Sequence, residues 1–159
     1  MIARLPAPLK RVGLSAFRRM PASLRRRAVH AGTPNYTVGA VVVVRDAAGR
    51  VLLVRQRHSG GWSLPGGLLG HGETPELAAL RELGEELGLS VEAGRLQPAT
   101  PNAVVDPRAR RVDMVYSLRE PAEISVDGLE VLEARWFAPE GLPARCWGAT
   151  RQILQTLTP

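Results

Sequence analysis

Cysteine is nearly missing from this chain. Cys146 is the only one in 159 residues, which excludes an intrachain disulfide and a cysteine-built zinc centre. That usage suits a reducing compartment, so a cytoplasmic location is expected. Long apolar runs are missing too. No stretch comes near the roughly 20 residues that cross a bilayer, so no transmembrane segment is expected and the chain reads as soluble. Lysine is confined to Lys10, which leaves arginine to carry the positive charge. Acidic residues are absent from the first thirty positions.

That last absence explains most of the formal net charge of +6. Arg4, Lys10, Arg11, Arg18, Arg19, Arg25, Arg26 and Arg27 all fall within residues 1–30, and no carboxylate offsets them. Of the 21 basic side chains, thirteen remain beyond residue 30 against fifteen acidic ones, so the body is slightly negative. Residues 1–34 are therefore read as a basic leader and residues 35–159 as the domain. Leu5, Leu9, Val12, Ala16, Met20 and Leu24 recur at helical steps in the leader. Pro6, Pro8 and Pro21 limit it to one helix of about a dozen residues and a second short one. It lacks the continuous apolar stretch of a secretory signal. The leader is expected to pack on the body or on a second copy in a homodimer, with a nucleic-acid or membrane-surface contact as the alternative.

The hydrophobic content of 45% is ordinary for one globular domain. Val38 to Arg45 is a nearly unbroken β-branched run, which predicts a strand buried on both faces. A turn at Asp46 to Gly49 leads into a second strand from Val51 to Arg55, and the two are expected to form a hairpin. Thr74 at an N-cap position, Pro75 at the first turn and Gly88 as a stop bracket the clearest helix. Leu77, Leu80, Leu83 and Leu87 give it an apolar stripe. Strands are expected at Arg111 to Leu118 and Val131 to Phe137, separated by an acidic loop from Glu120 to Glu130. A last helix is expected from Gly148 to Leu157. The order β-β-α-β-β-α implies a mixed α/β fold.

The chemistry concentrates around the first helix. Glu82, Glu85 and Glu86 stand at i, i+3 and i+4 and share one face. Carboxylates so close repel unless a cation lies between them, and an all-oxygen cluster suits a hard ion such as Mg²⁺ or Mn²⁺. A solvated acidic face is the other reading of that spacing alone. Just upstream, Gly66, Gly67, Gly70 and Gly72 let the backbone approach a ligand closely. Glu73 and Arg81 are spaced to tie that loop to the helix.

Gly67, five residues, Glu73, seven residues, then Arg81-Glu82-Leu83-Gly84-Glu85-Glu86-Leu87-Gly88-Leu89 fill every defined position of a 23-residue motif. The chain thus resembles the Nudix hydrolases over about residues 36–145, the leader lying outside. The resemblance implies an α/β/α sandwich with a mixed sheet and a loop-helix-loop motif. It also implies metal-dependent hydrolysis of a nucleoside diphosphate linked to another moiety. By position, Glu82, Glu85 and Glu86 would hold the metal, joined by the Gly66 carbonyl. Glu73 and Arg81 would be structural. The water proton would pass to Glu82 or to a carboxylate of the acidic loop. Glu130 is the first choice there, with Asp127 and Glu133 as alternatives. Gly67, Arg55 and Arg57 are candidates for holding substrate phosphates.

Four further residues carry two readings each. His58 could touch substrate, His71 sits at an undefined motif position, Asp113 could face either way in its strand, and Trp62 could stack on a base or fill the core. The motif says little about the group attached to the pyrophosphate. A nucleoside triphosphate, a nucleotide sugar, ADP-ribose and an RNA 5′ end all stay open. A non-hydrolytic nucleotide-binding regulator on the same scaffold is the alternative to an enzyme.

Overall fold

A computed structural model describes residues 17–119, 124–126 and 128–157 of the chain. It divides after Asn35 into two compact units. In the first, α1 (Ala22–Gly32) starts directly after Pro21, and none of its residues is buried. Positions 1–16, which carry the expected leader contacts of Leu5, Leu9 and Val12, lie outside the described residues. Among the described residues no helix is long and apolar enough to cross a membrane.

The second unit is built on one forked sheet. β1 (Thr37–Arg45) and β2 (Val51–Gln56) form the expected hairpin, but the two strands pair only at Arg45 and Val51. Beyond that point they splay. β3 (Trp62–Ser63) pairs with β2, β4 (Gly66–Leu68) pairs with β1, and the Val42 N–H donates to the Pro65 carbonyl at 2.9 Å. The chain from Trp62 to Leu68 is thereby wedged into the fork. On its other edge β1 runs parallel to β6 (Arg111–Arg119) from Thr37↔Arg111 to Arg45↔Arg119. β7 (Val131–Phe137) lies antiparallel to the far edge of β2.

Strand periodicity then sends alternate residues to opposite faces. Ala40, Val42, Val44, Leu52 and Val54 pack under α2 (Pro75–Leu87), together with Ala78, Ala79, Leu83 and Leu87. Val41, Val43, Val51 and Leu53 pack on the opposite side against Ile153 and Leu154 of α3 (Gly148–Thr156). The result is the expected α/β/α sandwich with a mixed sheet.

The ends of α2 follow its sequence signals. Thr74 Oγ1 accepts from the Leu77 N–H at 3.3 Å, Pro75 occupies the first turn, and Gly88 closes the helix with φ 65°. Its buried face is rotated from the expected leucine stripe. Leu77 is 54% exposed, whereas Ala78 and Ala79 are fully buried. Two alanines let the helix lie close on β1, and the same rotation carries Glu86 into the buried side, 3% exposed. A further strand, β5 (Gln97–Asp106), was not expected. It is the edge partner of β6, and Pro98 and Pro101 disguise it; proline is tolerated there because an edge strand leaves N–H groups unpaired.

Candidate active site

The fork of the sheet sets two glycines against the helix. Gly66 has φ 138°, and a Cβ there would run into the Ala40 carbonyl. A Cβ on Gly67 would overlap the Glu82 carboxylate. Glycine at 66 lets β4 lie against β1, and glycine at 67 leaves the Glu82 carboxylate against the β4 backbone. The Gly66 N–H then donates to Glu86 Oε2 at 2.9 Å, while Gln56 Nε2 donates to Glu86 Oε1 at 2.7 Å.

Burial pushes the Glu86 carboxyl up to about 7. The Gln56 and Gly66 hydrogen bonds oppose that rise, and the charges of Glu82 and Glu130 add to it. Half-buried Glu82 is also raised, again mainly by burial, against the pull of Arg81. Glu85 is the solvated member of the three, its side chain 55% exposed.

Arg81 and Glu73 join the loop to the helix as expected from their spacing. Arg81 Nε donates to Glu73 Oε1 at 2.9 Å and Nη2 to Glu73 Oε2 at 3.1 Å. Nη2 also reaches the Leu68 carbonyl at 3.2 Å, and the Gly70 N–H donates to Glu73 Oε2 at 2.7 Å. Hydrogen bonds from Arg81 and Gly70 hold the Glu73 carboxyl below its ordinary value. Arg81 Nη1 bridges the other way, to Glu82 Oε1 at 2.9 Å and Glu85 Oε2 at 2.8 Å.

These groups line a cavity of about 730 Å³. It brings together Gly66, Gly67, Glu73, Arg81, Glu82, Glu85, Glu86 and Glu130, with His58 and His71 also on its wall. Glu130 lies one residue before β7, and its carbonyl accepts from the Arg57 N–H at 2.9 Å. Of the other loop carboxylates considered, Asp127 lies outside the described residues. Glu133 is taken up by Arg55 and Arg135.

Arg55 and Arg57 do not line this cavity. Arg55 donates through Nε and Nη2 to Glu133 Oε2, at 3.1 and 3.0 Å. Arg57 donates to the Leu129 and Gly128 carbonyls at 2.9 and 2.8 Å. Both brace the segment that carries Glu130, a placement that lends no support to a phosphate contact. Strand parity accounts for Arg55, since it follows Leu53 onto the α3 side. The same parity puts Gln56 beneath Glu86, a placement carried by the alternation along β2. Arg111 also lines the cavity, and nothing local in the sequence announces it, because only the parallel β1–β6 register brings it there.

The donor set fits a hard divalent cation. Every group is an oxygen donor, and the least solvated carboxylate is the one most strained by its own charge. Among the described residues no three of these groups lie close enough together to ligate an ion, and Arg81 Nη1 donates to both Glu82 and Glu85.

The sequence model of the NUDIX domain matches residues 35–157. The chain belongs to the Nudix family. A MutT-like protein of Streptomyces ambofaciens is 30% identical over 112 residues, covering 70% of both chains. A Bacillus subtilis protein named for 8-oxo-dGTP diphosphatase activity is 32% identical over 115 residues, covering 68% of this chain and 70% of its own. Among solved structures, a MutT Nudix hydrolase of Burkholderia pseudomallei superposes with a TM-score of 0.65 at 30% identity, over 78% of this chain and 99% of that one. The chain is therefore a Nudix pyrophosphohydrolase, of a family that works with divalent metal.

Proposed function

We propose that this Nudix enzyme hydrolyses the pyrophosphate linkage of a nucleoside diphosphate joined to another moiety, in the cytoplasm and with Mg²⁺ or Mn²⁺. The observation that carries this reading is the single cavity that Glu82, Glu86 and Glu130 line beside the Gly66–Gly67 backbone. In it Glu82, Glu85 and Glu86, with the Gly66 carbonyl, would hold the cation. That cation supplies Lewis-acid charge, which neutralises the pyrophosphate oxygens and makes a water easier to deprotonate.

The chain's own groups do the rest. A water oxygen attacks phosphorus, the bridging P–O bond breaks, and the water proton passes to a carboxylate. Glu130 suits that last role, because its charge is felt at Glu82 and Glu86 and it stands apart from the helix. Glu82 is the alternative base. Gly67 lets the loop backbone lie against the Glu82 carboxylate, and Glu73 with Arg81 keeps the loop in register with the helix.

The test is a panel of nucleoside triphosphates (8-oxo-dGTP included), nucleotide sugars, ADP-ribose and 5′-triphosphorylated RNA, each with Mg²⁺ and with Mn²⁺. RNA belongs in it because Arg18, Arg19, Arg25, Arg26 and Arg27 bring charge with no acid nearby in sequence. The expected products are a nucleoside monophosphate and the remaining phosphorylated group, with no turnover in a chelator. If the whole panel were bound but left intact, the chain would be a nucleotide-binding regulator instead.

A further inference from the structure

The pairing of β2 with β7 changes register between Arg55 and Gln56, so Val131 rather than Leu132 stands opposite Gln56. The shifted register continues one step beyond β7, where the Arg57 N–H donates to the Glu130 carbonyl at 2.9 Å. The Arg57 side chain reaches further back along the same segment. Its Nε donates to the Leu129 carbonyl at 2.9 Å and its Nη2 to the Gly128 carbonyl at 2.8 Å. One residue thus grips three consecutive carbonyls, those of Gly128, Leu129 and Glu130.

Burial does little for this stretch. Val131 is fully buried, but Leu129 is 74% exposed and Glu130 is exposed as well. Upstream, the Ser125 N–H donates to the Leu87 carbonyl at 3.0 Å and Val126 packs against the core. Gly128 turns the chain at φ 71° between these anchors. Hydrogen bonding has to supply here what packing does not. A guanidinium suits that task, because its planar fork offers N–H groups at fixed separation, whereas a lysine ammonium is a point charge on a flexible stem.

We infer that Arg57 is a positioning residue that acts through Glu130, clamping the Gly128–Glu130 backbone so that the Glu130 carboxylate stays within reach of the attacking water. This rests on the function proposed above. As the water oxygen bonds to phosphorus and the bridging P–O bond breaks, the proton released by the water goes to Glu130. That transfer needs the carboxylate within hydrogen-bond reach of the water. A displacement of about 1 Å can cost on the order of 100-fold in rate. Arg57 itself touches no reacting atom. Its fork matters more than its charge, which sets it apart from an arginine that binds phosphate.

The test is a double-variant cycle on kcat with the best substrate of the panel. Arg57→Met, which keeps most of the stem and removes the fork, is expected to lower kcat at least tenfold and to leave KM within about twofold. Glu130→Gln is expected to lower kcat by about 100-fold or more. The double variant should be no more than about twofold slower than Glu130→Gln alone, because the clamp then has nothing left to position. Arg57→Lys should stay within about threefold of Arg57→Met, and Mn²⁺ binding by both should match the parent. Losses that multiply in the double variant, a lysine that restores activity, weakened Mn²⁺ binding, or a raised KM with kcat kept would overturn the inference. Parental turnover in Glu130→Gln would do the same. If the parent hydrolyses nothing in the panel, the function above has failed while the clamp can still be tested. The amide hydrogen at position 57, bonded to the Glu130 carbonyl, should then exchange at least about tenfold faster in Arg57→Met than in the parent. Equal exchange rates would remove the inference as well.

Discussion

Glu86→Gln is expected to lower turnover at least 100-fold while the protein stays folded. The magnitude is that of removing a principal electrostatic contact from a reaction centre. The amide fills the same space and can still accept from the Gly66 N–H, so the helix and loop remain joined. A change in pH dependence should accompany the loss. The folded Glu86 carboxyl titrates near 7 rather than at its ordinary 4.5, so between those values the folded state holds a proton that the unfolded chain has released. Stability from this group therefore falls as pH rises from about 4.5 through 7. Fully developed above that window, the penalty is on the order of 3 kcal/mol in metal-free protein. Glu86→Gln has no such term. Thermal unfolding in chelator at pH 5 and pH 8 should show a smaller drop for the variant than for the parent. An equal drop would mean that Glu86 is not the buried acid, and unchanged turnover would refute its role in the reaction.

Gly66→Ala is expected to abolish measurable turnover and to lower stability together. The dihedral strain of a side chain at φ 138° alone costs roughly 1–3 kcal/mol. Its Cβ would also meet backbone, the Ala40 carbonyl and the Val41 Cα at 2.7 Å, neither of which can swing aside like a side chain. β4 must then lift from β1, which withdraws the Gly66 N–H from Glu86. Gly84→Ala is the matched control. It lies within α2, where an added Cβ meets nothing closer than the Leu89 carbonyl at 3.8 Å. Alanine there should raise stability by about 0.5–1 kcal/mol, as expected for a helix interior. Circular-dichroism melts with parallel activity assays check both. A Gly66→Ala protein with normal turnover would show that the close approach of loop to strand is dispensable.

The sequence carries the elements whose signals are local. The β-branched run of β1 marks a strand buried on both sides, and Thr74, Pro75 and Gly88 mark both ends of α2. Glu73 and Arg81 meet as their spacing requires. What escapes is set by tertiary register. β5 is hidden because its prolines are tolerated only at a sheet edge, a fact that topology decides. Leu77 falls in the expected stripe and is exposed, because two small alanines let the helix roll closer to β1. Arg55 and Arg57 carry charge suited to phosphate and spend it on Glu133 and on the carbonyls of Gly128 and Leu129. Arg111 sits far along the chain from the motif and reaches the cavity only because β6 runs parallel to β1.

Glu82, Glu85 and Glu86 are proposed to hold a divalent cation in the cavity formed by the fork of the sheet. Titration of the purified protein with Mn²⁺, followed by paramagnetic resonance of the free ion, tests it most directly. The parent should remove Mn²⁺ from solution saturably, and Glu82→Gln, Glu85→Gln and Glu86→Gln should each weaken that binding. Mg²⁺, a hard cation suited to the same oxygen donors, should compete with Mn²⁺ for the site. Undiminished Mn²⁺ binding in all three variants would contradict the account.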